Sequence, residues 1–140
     1  VTLIRKGIRD SRYVIPFSGK SDQRIHRKVE IVSAGDGMCK AQFTVDKEHL
    51  NLGGTLHGGF TSTLCDCIST YAVMTQGTGS PGASVDLHVT FTKAAFPGDL
   101  VTVDAKTVRA GKTLAFLAVE LTKNGGKDVI ARASHTKFIA

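Results

Sequence analysis

Between Gly58 and Val85 the chain carries a single charged side chain, Asp66, although 21 % of the whole sequence is charged. Within this neutral stretch Phe60, Leu64, Ile68 and Tyr71 recur at spacings of three and four. That spacing puts them on one face of a helix running from His57 to about Thr75. Gly77-Thr-Gly-Ser-Pro-Gly82 ends it, because a helix continues poorly through repeated glycine and proline. A lone helix with one apolar side must bury that side against another layer, and the remaining sequence supplies strands.

Residues 25–34 and 38–45 are rich in valine and isoleucine, alternate in polarity, and flank Gly35-Asp-Gly37, which reads as a hairpin turn. Cys39, Ala41, Phe43 and Val45 should face the core. After the helix, Ala83, Val85, Leu87, Val89 and Phe91 alternate with Ser84, Asp86, His88 and Thr90, which gives an apolar and a polar strand face. Three more strands are expected at about 99–109, 113–123 and 128–138. The intervening Pro97-Gly98, Ala110-Gly-Lys112 and Asn124-Gly-Gly126 supply turn chemistry, so these last four strands should form an antiparallel meander. The expected class is α+β: one long central helix packed across a six-stranded antiparallel sheet. Residues 25–140 form the single domain, and residues 1–24 precede it as an arm or short helix closed by Pro16 and the polar run after it.

A chain of 140 residues fits one domain. No run of eighteen apolar residues could span a bilayer, so a soluble protein without stable membrane insertion is expected. Arg5, Lys6, Arg9 and Arg12 suit either a solvated helix face or an organelle-targeting helix, which leaves a cytoplasmic and a mitochondrial location open. Cys39, Cys65 and Cys67 are odd in number and match no disulfide framework or zinc knuckle, which favours a reducing compartment and no metal. The net charge of +6 suits nucleic acid, a membrane surface or a small polyanion. Basic residues are scattered and no nucleic-acid-binding signature is present, so nucleic acid is set aside as a partner.

Read in order, Asn51, Gly54-Thr-Leu-His-Gly-Gly59, Asp66, Ile68-Ser-Thr70, Ala83-Ser-Val-Asp86, Gly111-Lys-Thr-Leu-Ala-Phe116 and His135-Thr-Lys137 resemble the hotdog-fold thioesterases. The likeness is to the acyl-coenzyme A thioesterase 13 group, also called thioesterase superfamily member 2, and it covers about residues 25–138. It implies a hotdog fold and hydrolysis of fatty acyl-coenzyme A to fatty acid and coenzyme A. It also implies a homotetramer whose sites are shared across dimer interfaces, and no cofactor beyond the coenzyme A of the substrate. By the same resemblance Asp66 matches the catalytic carboxylate and Gly58 the amide that polarises the thioester carbonyl. Asn51 and Ser84 match residues that help place the attacking water, and His57 the histidine beside the carbonyl. Cys67 and its neutral neighbours depart from the pattern, which bears on acyl-chain preference.

The residues themselves suit that chemistry. Thioester hydrolysis needs a water, a base and donors for the oxygen that turns negative. Amides at a helix start are unpaired and partly positive, so Gly58 can donate there, although a glycine pair also serves close packing. Ser62, Ser69 and Thr70 lie three or four residues from Asp66 and should form a polar stripe beside it. Asp66 can act as base or as nucleophile. Asn51 can hold a water or shape a turn, and His57 can donate to a carbonyl or cap the helix. The absence of a Gly-x-Ser-x-Gly elbow favours direct water attack. Arg109, Lys112, Thr113 and Lys137, with Lys93, His135 and Asp86, are the candidate substrate and coenzyme A contacts, against which stands a merely solvated polar face.

A helix rises about 1.5 Å per residue, so Gly58 and Asp66 stand about 12 Å apart along it. One water cannot bridge them, and a shared thioester therefore calls for two chains. Three rivals remain: a hydratase of enoyl thioesters on the same fold, a non-enzymatic acyl-coenzyme A or partner-binding module, and a basic nucleic-acid binder.

Overall fold

The computed structural model describes residues 29–140 together with the backbone of residues 9–14. Seven strands, β1 (Arg9–Val14), β2 (Glu30–Gly35), β3 (Met38–Thr44), β4 (Ala83–Phe91), β5 (Leu100–Ala110), β6 (Leu114–Lys123) and β7 (Asp128–Phe138), accompany one long helix, α1 (Gly58–Met74). The strands form one antiparallel sheet in the order β1-β2-β3-β5-β6-β7-β4. The six strands expected from the sequence are present, and α1 lies across one face of their sheet.

The β2–β3 turn forms as its sequence demands. Asp36 and Gly37 adopt φ of 52° and 77°, the two left-handed positions of a type I′ hairpin turn. Beneath α1, Phe60, Leu64, Ile68 and Ala72 are buried against Phe43, Val101, Val103, Leu117, Val119 and Leu121. The rings of Phe43 and Phe60 meet edge to face with centroids 5.3 Å apart, and His49 stacks on Phe60 at 4.7 Å. Leu64 is fully buried between helix and sheet. Leu64→Ala should therefore cost about 3 kcal/mol of folding stability, read as a lower urea midpoint at unchanged slope.

Two expectations are corrected here. Of the expected arm or short helix, residues 9–14 form a strand on the outer edge of β2, since an uncovered strand edge offers unpaired donors and acceptors that a neighbouring segment can satisfy. The rest of the arm, and residues 25–28 of the first expected strand, lie outside the described residues. In addition, β4 does not neighbour β5. The meander comprises β5, β6 and β7 only, and β4 sits at the far edge beside β7.

The connection from β4 to β5 explains that placement. After Phe91 the chain runs beside β7, with the amides of Thr92 and Lys93 donating to the Ile130 carbonyl, and then passes the entrance of α1, where Leu56 N donates to Ala95 O. The turn at Pro97-Gly98 next delivers it to β3, where Gly98 N and Val45 O, and Val45 N and Asp99 O, pair at 2.9 Å. The turn chemistry is used, but to cross the sheet instead of to fold β4 back on β5.

At the free edge β4 is exposed on most of its length, and Val85 and Phe91 are 61 % and 56 % exposed. It also does not alternate throughout. Its pairing with β7 slips between Ser84, opposite Lys137, and Asp86, opposite Thr136. A bulge at this point turns Ser84 toward α1, the side also taken by Leu87, and leaves Asp86 on the other side. The expected shared polar face of Ser84 and Asp86 is thus broken.

Candidate active site

The loop before α1 is built on side chains that bond their own backbone. Asn51 accepts from Thr55 N through Oδ1 at 3.1 Å and donates through Nδ2 to Thr55 Oγ1 at 2.9 Å. His57 N donates to the buried His49 at its carbonyl, 2.8 Å away, so the chain enters the helix in a fixed direction. His57 then caps α1: its Nδ1 accepts from Gly59 N at 2.8 Å. An accepting Nδ1 places the proton of a neutral imidazole on Nε2, which is left as a donor, so capping and donation are compatible. The Gly58 amide, the first of the helix, has no partner within the chain among the described residues.

That amide borders a cleft of about 410 Å³ lined by Asn51, Gly58, Phe91, Lys93 and Ile130. A side chain at either glycine would crowd a neighbouring ring. A Cβ on Gly58 would stand 3.3 Å from the Phe91 ring, and one on Gly59 would stand 2.9 Å from the His57 ring. The cleft is therefore kept open by the missing side chain at a helix N-terminus, where an unpaired N–H and the helix dipole favour negative charge.

Two turns further along α1, Asp66 projects toward β4 and β7 with its side chain 47 % exposed. Its Oδ1 lies 3.3 Å from Ser84 Oγ and 3.7 Å from His135 Nε2. His135, 1 % exposed, bridges two hydroxyls, with Nε2 2.8 Å from Ser84 Oγ and Nδ1 2.7 Å from Ser69 Oγ. Burial and the neighbouring Lys137 hold the imidazole below the ordinary histidine range, against the opposing pull of Asp66 and Asp86. Lys137 is itself 3 % exposed and donates from Nζ to Thr70 Oγ1 at 2.8 Å. Its ammonium is pushed below the ordinary lysine range by burial, with Asp66 and Cys67 opposing.

The expected polar stripe is present, but its hydroxyls serve the helix backbone. Ser62 donates to Gly58 O, Ser69 to Cys65 O, and Thr70 to Asp66 O. The carboxylate of Asp66 is met instead by Ser84, from a strand. Of the thiols flanking it, Cys65 is unsuited to nucleophilic work: burial pushes it up to about 12, and Asp66 adds to the effect. Cys39 is likewise pushed up to about 12 by burial.

A family model described as the thioesterase superfamily matches residues 53–130, the span holding Gly58, Asp66 and Ser84. The chain belongs to the thioesterase superfamily. It is 41 % identical over 117 residues to human acyl-coenzyme A thioesterase 13, an alignment covering 84 % of each chain. The crystal structure of zebrafish thioesterase superfamily member 2 superposes with a TM-score of 0.85 at 37 % identity, covering 99 % of this chain and 94 % of that one. A hypothetical thioesterase from Streptococcus pneumoniae, solved with coenzyme A, superposes with a TM-score of 0.75 at 29 % identity, over 80 % of this chain and 88 % of that one. The resemblance drawn from the sequence blocks therefore holds, as do the hotdog fold and the thioester hydrolase class.

The thioesterase places the remaining candidates in three settings. Arg109, Lys112 and Thr113 are exposed around the β5–β6 turn. There Thr113 O accepts from Ile139 N at 2.8 Å, which ties the turn to the chain that follows β7. Lys93 and Asp86 are exposed on and beyond β4, and Lys93 pairs with Asp128 at 2.9 Å. His135 and Lys137 alone are interior, next to Asp66 and Thr70, because alternation along β7 turns them toward α1. Both are buried, unlike the other candidate substrate and coenzyme A contacts. Ser69, Thr70 and Phe91 were not singled out for these contacts. The slot at Gly58 was the one available signal for Phe91, since a helix-start glycine implies a close neighbour. No helix of the described thioesterase is long and apolar enough to cross a membrane.

Proposed function

We propose that this thioesterase hydrolyses acyl-coenzyme A, of medium to long fatty acyl chain, to free fatty acid and coenzyme A by direct water attack. Asp66 removes a proton from a water that Ser84 helps to hold. The water oxygen adds to the thioester carbonyl, whose developing negative charge is received by the Gly58 amide of a second copy, with His57 and Asn51 beside it. Collapse of the tetrahedral intermediate breaks the carbon–sulfur bond, and the proton held on Asp66 passes to the departing thiolate. No metal or cofactor enters this reading.

The observation that carries it is the division of the site. Within one chain, Gly58, Asn51 and Phe91 gather at one end of α1 and Asp66, Ser84 and His135 gather about 12 Å further along it. Edge strand β4 supplies the means of reuniting them. Its nine residues, Ala-Ser-Val-Asp-Leu-His-Val-Thr-Phe, contain neither lysine nor proline, the residues that guard free edges. Antiparallel pairing of two copies about the central Leu87 sets Ser84 of one copy beside the Thr90–Phe91 end of the other. Asp66 thereby meets the partner's helix start, and a homodimer holds two composite sites. Two such dimers would make the homotetramer implied by the resemblance.

The substrate class rests on the name of the human relative and on the coenzyme A in the pneumococcal structure. Exposed Arg109, Lys112 and Thr113, with Lys93, are the proposed contacts for its phosphates, and Asp86 remains a polar candidate beside them. An odd number of cysteines accords with a reducing, cytoplasmic setting, and the basic residues near the N-terminus make a mitochondrial one the alternative.

Thiol release measured over a series from acetyl- to palmitoyl-coenzyme A should show turnover rising toward the medium and long chains. Absence of thiol release, with loss of the enoyl chromophore from an unsaturated substrate, would replace the hydrolase with a hydratase.

A further inference from the structure

The hydrogen-bonded row Ser69–His135–Ser84–Asp66 contains more contacts than its hydroxyl protons can fill, and that shortage decides how each group is presented. A serine has one proton to give. Ser69 Oγ lies 2.6 Å from the Cys65 carbonyl and 2.7 Å from His135 Nδ1. Two oxygens at 2.6 Å must share a hydrogen, because bare lone pairs would repel at that distance. The Ser69 proton therefore points to Cys65 O, and the contact to His135 is made by a proton on Nδ1. A neutral ring protonated there has an accepting Nε2. Ser84 then faces a choice between Nε2 at 2.8 Å and Asp66 Oδ1 at 3.3 Å. The shorter contact needs its proton, and the longer one is tolerable without any.

We infer that His135 is a positioning residue, carrying its proton on Nδ1 and drawing the Ser84 hydroxyl proton onto Nε2, so that Ser84 offers only lone pairs to the attacking water. This rests on the assignment of Asp66 as the base. The water can then donate one hydrogen to Ser84 and the other to Asp66, which turns its own lone pair toward the carbonyl. In the opposite arrangement Ser84 would donate to Asp66 Oδ1 and compete there with the water proton. Burial suits this task. His135 is 1 % exposed and keeps a fixed ring orientation through hydroxyls from α1 on one side and β4 on the other. The surrounding residues Lys137 and Asp66, with Asp86 farther off, set its charge state without contacting the carbonyl.

Two measurements test the inference on the intact oligomer. Long-range proton–nitrogen spectra of the ¹⁵N-histidine-labelled enzyme should show His135 as the Nδ1–H tautomer. An Nε2–H tautomer overturns the inference without any variant having to fold. The kinetic arm uses two substitutions of different reach. His135→Asn retains an amide in place of Nδ1–H and deletes the acceptor of Ser84, whereas His135→Gln extends a carbonyl toward it. His135→Asn should lower kcat about tenfold at unchanged KM, the effect of one lost hydrogen bond, and His135→Gln should recover most of it. In a Ser84→Ala background His135→Asn should cost nothing further. Equal damage from both substitutions, or an undiminished loss in the Ser84→Ala background, would overturn the inference. If wild-type enzyme released no thiol from any acyl-coenzyme A, the hydrolase assignment would fail instead, and the tautomer would still decide how Ser84 is oriented.

Discussion

Asp66→Asn should lower kcat for acyl-coenzyme A hydrolysis about a thousandfold while leaving the protein folded and assembled. The amide has the shape of the carboxylate and can still lie against Ser84 Oγ, so the local geometry survives. What it cannot do is take a proton from water. The loss should appear in kcat, with KM little changed, because the base acts on the water and not on the bound chain. Stability should hardly move. The side chain is nearly half exposed, His135 at 3.7 Å is held below the ordinary histidine range, and Lys137 keeps its bond to Thr70. Wild-type turnover in this variant would remove Asp66 from the mechanism. A single turnover in ¹⁸O water tests the nucleophilic role: as base Asp66 stays unlabelled and the fatty acid takes the label, whereas label in the Asp66 carboxylate marks an anhydride opened at its own carbonyl.

The sequence was most legible where a pattern repeats. The helix expected from His57 to about Thr75 is found at Gly58–Met74, since Phe60, Leu64 and Ile68 mark its buried face and the glycine-rich run after it can only end it. The Gly35-Asp-Gly37 hairpin was equally plain, as few residues other than glycine, asparagine and aspartate tolerate the left-handed backbone it needs. The order of strands was not. Pro97-Gly98 makes the same kind of turn whether it joins neighbours or crosses a sheet, and the decision lies in bonds to Val45 that link distant parts of the chain.

The site was legible in type more than in connection. Asp66 stood out by charge and Gly58 by its place at a helix start. The bulge that brings Ser84 to Asp66 left no mark in Ala83-Ser-Val-Asp86, because a one-residue slip changes the facing side without changing composition. The sequence also does not separate Lys137 and His135 from the exposed candidates for coenzyme A contact, for a similar reason. Their burial depends on α1 lying over that end of β7, where Thr70 and Ser69 supply the polar partners that make an interior lysine and histidine tolerable.

Mixing two inactive variants should restore activity if each site draws on two chains. Gly58→Leu would fill the cleft in which the Phe91 ring already stands 3.3 Å from an added Cβ, and so would disable the carbonyl-binding half. Asp66→Asn disables the other half. Each homodimer then carries one lesion in both of its sites. In a heterodimer of the two, one composite site receives both lesions and the other receives neither. Random reassociation of equal amounts makes half the dimers heterodimers, so the mixture should regain about a quarter of wild-type turnover from parents that have almost none. The recovery should track heterodimer content as the mixing ratio is varied, with heterodimers measured through two different affinity tags. If heterodimers form and the mixture stays as inactive as its parents, both halves of the site belong to one chain. Edge pairing through β4 would then not build the site, and the helix rise that separates Gly58 from Asp66 would have to be overcome by a movement within the chain.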